Sequence, residues 1–209
     1  MPVRPGPAWC GADRPLHSPA TSRTPTVSIP ILRRLHEAEP GLIEPLSALL
    51  IDAVHGGASV GFLAPLTADK AQQYWAGVMA AIGPALVLWV AEHGEQVVGT
   101  AQLSLCTKDN GRHRAELQKL LVLSTHRGHG LARRLVAAAE DFAVQHALSL
   151  LVLDTLAGSR AEGLYMHLGW HRVGEIPDYA GDPEGRLCAT VVFCKRLSVR
   201  LSSVALQGC

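Results

Sequence analysis

The sequence predicts a mixed α/β domain in which an antiparallel meander of strands is followed by one parallel step. Three observations carry this. Apolar residues recur at helical spacing in some stretches and alternate or run continuously in others, with Gly-, Asn- and Asp-containing turns between them. Short turns join the middle strands directly, as antiparallel hairpins require. The apolar run Leu117 to Leu123 passes through the loop Arg127-Gly128-His129-Gly130 into an amphipathic helix and then into another strand. A helical crossover of that kind joins parallel strands.

Taken in order, residues 1–27 hold six of the thirteen prolines and few large aliphatics. That composition buries too little surface to offset chain entropy, so a disordered Pro-rich tail is expected over 1–27. The folded domain is expected over 28–197, with a second tail over 198–209. It should open with a strand near Ile29 to Arg34 and continue into a helix from Gly41 to Val54. There Leu42, Ile43, Leu46, Leu49, Leu50 and Val54 repeat at helical spacing, and Pro45 falls in the tolerant first turn. A loop from His55 to Phe62 precedes a second helix, Thr67 to Ile82, with Thr67 as N-cap. Loop residues His55, Gly56 and Gly57 are either a C-cap and turn or contacts to a substrate.

Leu86 to Ala91 and Gln96 to Cys106 form a hairpin, and the turn Lys108-Asp109-Asn110-Gly111 leads into the fourth strand. The helix Leu131 to His146 follows, then a fifth strand, Leu148 to Asp154, a helix from Arg160 to Leu168, and two closing strands, Trp170 to Ile176 and Arg186 to Arg196.

Composition narrows the function. A net charge of +1 with 18% charged residues provides no basic field for nucleic acid. No run of 18 apolar residues occurs, so no membrane span is expected, and MPVRPGPAWCGADRPL lacks the apolar core of a secretory signal. Cys10, Cys106, Cys188, Cys194 and Cys209 are scattered without CxxC pairing and read as reduced thiols of a cytoplasmic protein. Ten histidines show no HExxH motif, so no metal is expected.

The Gly loop is the informative motif. A strand, a glycine loop and a helix N-terminus in succession converge free N–H groups and the positive end of the helix dipole on one point. Gly128 and Gly130 allow a phosphate close approach, and Arg127 adds a cation. A pyrophosphate is the expected guest. A P-loop would need GxxxxGK[ST], and the third glycine of a dinucleotide fingerprint would fall at Arg133, so neither applies.

The run Arg127-Gly128-His129-Gly130-Leu131-Ala132 resembles the acetyl-CoA signature R/Q-x-x-G-x-G/A of the GNAT superfamily of N-acetyltransferases. Counted three residues before Gly128, the Arg or Gln position would hold Thr125 instead. That resemblance implies the GNAT fold, with helices on both faces of a mostly antiparallel sheet and parallel strands four and five splayed apart. It also implies acetyl-CoA as cosubstrate, held by the backbone of Leu120, Leu121 and Val122 and by Arg127, Gly128, His129, Gly130, Leu131 and Ala132.

A longer set of segments is similar to the tabtoxin-resistance acetyltransferases: His55 to Phe62, Ala101 to Cys106, Leu153-Asp154-Thr155 with Ala157-Gly158-Ser159, and Arg172 to Pro177. The likeness implies that Glu116 and Asp154 are the bases acting on a small amine. Its AxxLYxxxGF-like segment places Tyr165 as proton donor. Gly158 stands where that family often has Asn.

The chemistry can be reasoned separately. An alkyl ammonium with a pKa of about 10.4 must lose a proton before attacking a thioester. Glu116 lies four residues before Leu120, about 13 Å along an ideal strand at about 3.3 Å per residue, so it needs a bulge or a water to reach the amine. A phenol of pKa about 10 can protonate a departing thiolate. The expected protein is a monomer or homodimer acetylating an amino-acid- or dipeptide-like amine, such as a toxin. A protein or peptide N-terminal acetyltransferase and a non-catalytic acetyl-CoA-binding module are the alternatives.

Overall fold

The structure, a computed structural model, describes Met1 and residues 29–198; the stretches read as tails lie outside the described residues apart from their edges. The chain runs β1 (Ile31–Leu35), α1 (Ile43–His55), α2 (Ala68–Ala81), β2 (Leu86–His93), β3 (Gln96–Leu105), β4 (Arg114–Val122), α3 (Leu131–Gln145), β5 (Leu150–Leu156), α4 (Arg160–His167), β6 (His171–Gly181) and β7 (Leu187–Arg196). This is the predicted order. The seven strands form one sheet, β1-β2-β3-β4-β5-β7-β6. Among the described residues only β4 and β5 run parallel; every other pair is antiparallel.

Each face of the sheet is covered because the helices carry one apolar stripe each. Along α1, Leu46, Leu49, Leu50, Ala53 and Val54 are buried, and on α2 Ala71, Trp75, Val78 and Met79 are. Both stripes pack with Leu88, Val90, Val97 and Leu121 on one face. Thr67 caps α2 by accepting a hydrogen bond from Lys70 N. The opposite face holds α3, through Leu131, Leu135, Val136, Ala139 and Phe142, and α4, through Tyr165. These meet Ala101, Leu103, Leu117, Leu151, Leu153 and Phe193. Among the described residues no helix is long and apolar enough to cross a membrane.

The β4 strand carries an extra residue. Thr100 lies opposite Leu121 and Gln102 opposite Gln118, so two steps along β3 match three along β4. Lys119 absorbs the surplus at φ 48°, a left-handed conformation rare for a residue with a Cβ. A bulge bends and twists its strand locally. The parallel ladder with β5 accordingly spans only Arg114↔Leu150, Ala115↔Leu151 and Glu116↔Val152. Beyond Glu116 the two strands separate, and the β5-facing backbone of β4 has no strand to pair with.

Of the boundaries that differ from expectation, three have a local reason. The fifth strand starts at Leu150 rather than Leu148 because Ala147 and Leu148 are used to end α3, with Leu148 N donating to Ala143 O at 2.8 Å. The β2–β3 turn shrinks to Gly94-Glu95, Gly94 adopting φ 62°, which lengthens β2 to His93. The β6 strand continues past Pro177 to Gly181, with a register irregularity between Ile176 and Ala180. As the sheet's edge strand it accommodates a residue that cannot donate to a ladder.

Gly99 of β3 sets the distance of α3 from the sheet. A Cβ there would lie 3.1 Å from both Leu131 Cδ2 and Leu135 Cδ1, and 3.3 Å from Leu121 O. Gly99→Val should therefore push the first turns of α3 off the sheet and cost about 1–3 kcal/mol in chemical denaturation. Unchanged stability would mean that α3 is free to shift outward at no cost.

Candidate active site

The loop end of the site is built from backbone. Gly128 and Gly130 have φ values of 82° and 77°, and no atom lies within 4 Å of a Cβ placed on either. The loop is thus an open cradle that a side chain would fill, formed in a conformation that glycine adopts without strain. Gly130 is the N-cap of α3 and supplies no side-chain cap. No acidic residue occupies the helix's first turn, and Arg133 and Arg134 lie there or immediately after it. Cations at the positive end of a helix dipole are unfavourable, and a bound anion removes that cost. The donor set therefore fits a pyrophosphate.

The start of the loop is pinned to α1. Asp52 accepts hydrogen bonds from Ser124 N at 2.9 Å and Ser124 Oγ at 2.8 Å, and its carboxylate lies 3.6 Å from Arg127. Arg127 Nε donates to Val122 O at 3.0 Å. Arg127 thus braces the loop against the end of β4, and one acceptor position of the Val122 carbonyl is already taken. His129 is exposed, Ala132 is partly buried, and the Leu131 side chain is core. For Leu131 only the backbone is left for a ligand. Leu121 is buried likewise, with Leu120 and Val122 half-buried beside the gap.

The other end of the site is built from charges. Residues opposite one another in a sheet share a face, so Ser104, Glu116 and Val152 point the same way, and Asp154, two residues beyond Val152, does too. This is the α1–α2 face, since Gln102, which shares it, hydrogen-bonds through Nε2 to the Tyr74 hydroxyl of α2 at 3.1 Å. Glu116 and Asp154 therefore stand on either side of the point where the strands part. Partial loss of hydration, reinforced by the Glu116 charge, raises the Asp154 pKa above its ordinary value, although Lys119 opposes this. Water still reaches Asp154, which is exposed.

Tyr165 approaches from the opposite face. Its ring is buried against Trp170 and Phe193, at centroid distances of 5.7 and 6.0 Å. Among the described residues its hydroxyl makes no hydrogen bond, and the only enclosed side-chain polar atom lacking a partner is Trp75 Nε1. The Tyr165 hydroxyl is therefore reached by solvent while the ring is not. Burial first, and then the Asp154 charge, raises its pKa well above that of free tyrosine, so it stays protonated in alkali.

The loop candidates fall elsewhere. His55 accepts from Leu66 N at 3.3 Å, Gly56 ends α1 beside Arg127, and Gly57 is a turn residue at φ 86°. The residue of this loop that meets the charged cluster is Gly61, where a Cβ would lie 3.9 Å from Lys119 Nζ. Sequence reasoning missed Asp52, Lys119, Tyr74 and Gln102. None stands in a motif, and only the fold brings them to the site. A hollow of about 430 Å³ between α1 and the β2–β3 turn, lined by Pro45, Leu49, His93 and Glu95, contains none of these groups.

Comparison with known proteins is consistent with this geometry. The acetyltransferase (GNAT) family profile matches residues 44–170. An uncharacterised N-acetyltransferase of Azospirillum brasilense, from its hisH-hisA intergenic region, is 31% identical over 133 residues, covering 63% of this chain and 78% of that protein. Rattus norvegicus N-acetyltransferase 8B is 39% identical over 89 residues, which span 42% of this chain and only 40% of its own length. A ribosomal-protein-alanine N-acetyltransferase from Brucella melitensis superposes with a TM-score of 0.65 at 24% identity, over 80% of this chain and 99% of that one. An acetyltransferase-like protein from Salmonella typhimurium, solved with its cofactor acetyl-CoA, gives 0.65 at 20% identity, over 87% and 100%.

Gly128→Val should weaken CoA binding far more than it weakens folding, because a branched side chain fills the open cradle and resists φ 82°. Calorimetry with CoA and with pantetheine, which lacks the phosphates, separates the effects. Equal losses for both ligands would show that this loop does not hold the pyrophosphate.

Proposed function

This chain belongs to the acetyltransferase (GNAT) family and is an acetyl-CoA-dependent N-acetyltransferase; we propose that its acceptor is the primary amine of a small amino-acid- or dipeptide-like molecule. The observation that carries the reading is the pair Glu116 and Asp154, set on one face at the parting of β4 and β5 with no salt bridge among the described residues. Two such carboxylates are what a cationic amine needs on arrival and what removes its proton afterwards. The lactam dipeptide of the tabtoxin-resistance type falls within this acceptor class.

Bound acetyl-CoA supplies an activated thioester carbonyl. The open backbone of β4 beyond Glu116 orients an extended arm as an added strand would, and the Gly128–Gly130 cradle holds the phosphates. Asp154 and Glu116 hold the acceptor ammonium and take its proton, directly or through a water. The Asp154 carboxyl suits this role because its raised pKa brings it nearer to the working pH than an ordinary aspartate. Tyr165 keeps its proton until a departing thiolate needs one.

The roles separate by pH. A base acts only when deprotonated, so kcat/KM should fall as pH drops through the raised Asp154 pKa, giving an acid limb above the usual aspartate range. In Asp154→Asn that limb should vanish, with activity low at neutral pH and recovering as the amine approaches its own pKa of about 10.4. Tyr165→Phe should instead lose about 10²-fold or more, with a deficit that persists in alkali.

Ionising Asp154 costs the folded state stability, since its folded pKa exceeds the unfolded one. Asp154→Asn should therefore melt higher at neutral pH, with the gain gone below the unfolded pKa. Thermal melts at neutral and acid pH read the stability difference, and a pH-rate profile from about pH 4 to 10 with acetyl-CoA saturating reads the limbs. Three profiles of identical shape, merely displaced, would return both residues to structural roles.

A further inference from the structure

Lys119 lies in the same cleft and has no part in the proton transfers above. Its ammonium is held over the face of the Tyr74 ring, 5.5 Å from the centroid, and against Gly61 of the α1–α2 loop. The residue is only partly exposed. Yet among the described residues its Nζ makes neither a hydrogen bond nor an ion pair, so three donor positions are uncommitted. The backbone pays for this placement with a φ of 48°. The orientation comes from the bulge itself: without the extra residue, position 119 would sit in regular alternation, on the face opposite Glu116 and Gln118.

The cleft therefore presents one cation and two carboxylates with no direct ion pair among them. Loss of hydration lowers the Lys119 pKa and the Asp154 and Glu116 charges oppose this, so the ammonium lies within the field of both carboxylates. An amine alone would satisfy the carboxylates and leave Lys119 bare. An acceptor bearing its own carboxylate satisfies all three.

We propose that Lys119 is a specificity-determining residue that binds an acceptor carboxylate, so that this enzyme selects zwitterionic acceptors, free amino acids or dipeptides, over their amides and over simple amines. The inference rests on the reading of Glu116 and Asp154 as the ammonium site. With the ammonium held by those two groups and the carboxylate by Lys119, the acceptor is fixed at two points and its amine orientation is set. The Tyr74 ring keeps the lysine stem in place, and Gln102 in turn fixes Tyr74 through the 3.1 Å hydrogen bond.

The test uses the full chain with acetyl-CoA and a panel of the common amino acids and Gly-X dipeptides, each as free acid and as C-terminal amide, with putrescine and spermidine as amines lacking a carboxylate. Wild type should prefer acids to their amides by roughly 10- to 100-fold in kcat/KM, chiefly through KM, the range expected for hydrogen bonds to a charged group. Lys119→Met should bring that ratio close to one, and Lys119→Arg should preserve most of it.

Equal use of acids and amides by wild type would overturn the proposal while leaving the acetyltransferase and its carboxylates in place. So would a Lys119→Met enzyme that loses rate on acids and amides alike, which is the mark of a merely structural cation. Turnover of the polyamines alone would overturn it too. Failure of every amine, with acetyl-CoA still bound, would sink the ammonium site along with it.

Discussion

The surplus residue in β4 is the constraint on which the rest of this site depends. Without it, β4 and β5 could continue their parallel ladder beyond Glu116 and Val152, and the backbone of Leu120 to Val122 would be consumed in sheet pairing. With it, the strands part, a row of peptide groups is left open, and Lys119 turns into the cleft. One irregularity therefore creates both a place for an extended ligand and a cation beside two carboxylates. Its cost, a left-handed lysine, is tolerated because β3 on one side and the helices on both faces hold the strand firmly.

Charge is divided between the two ends of this gap. At the loop end the partial positive charge of the α3 N-terminus is joined by Arg133 and Arg134 and by the Arg127 brace, with no acid in the first turn. At the other end two carboxylates outnumber one ammonium. On the proposed reading, a polyanionic cofactor and a cationic amine would be drawn to opposite ends, and their reacting groups would meet where the strands diverge. Asp52 ties the ends together mechanically, since it fixes Ser124 and Arg127 to the helix that leads into the loop carrying Gly61.

Much of the fold was legible because it follows from periodicity. The order of strands and helices, the hairpins and the single parallel step were readable from apolar spacing and turn residues, and so was the open glycine loop that begins α3. Boundaries were less legible where tertiary context decided them. Pro177 looks like a strand terminator until β6 is known to be an edge, and Leu148 looks like strand until it is needed to close α3. A bulge entered only as one of two ways for Glu116 to reach the amine; its place was not legible, because lysine is not a residue that announces positive φ. Glu116 and Asp154 could be named from resemblance, but their common face depends on a register that only the sheet supplies. Tyr74, Gln102 and Lys119 come together from three separate elements, and Asp52 meets the glycine loop from a fourth; nothing local in the sequence links them.

Amide hydrogen exchange on the full chain, with and without CoA, tests the opening of β4 most directly. The account requires new protection at Leu120 and Val122, whose N–H groups alternate away from the β3 ladder, and at the first turn of α3, appearing together as CoA is titrated, because the same ligand pairs with the open strand and seats its phosphates in the cradle. Protection at the α3 turn with β4 unchanged, or protection confined to the hollow between α1 and the β2–β3 turn, would contradict it.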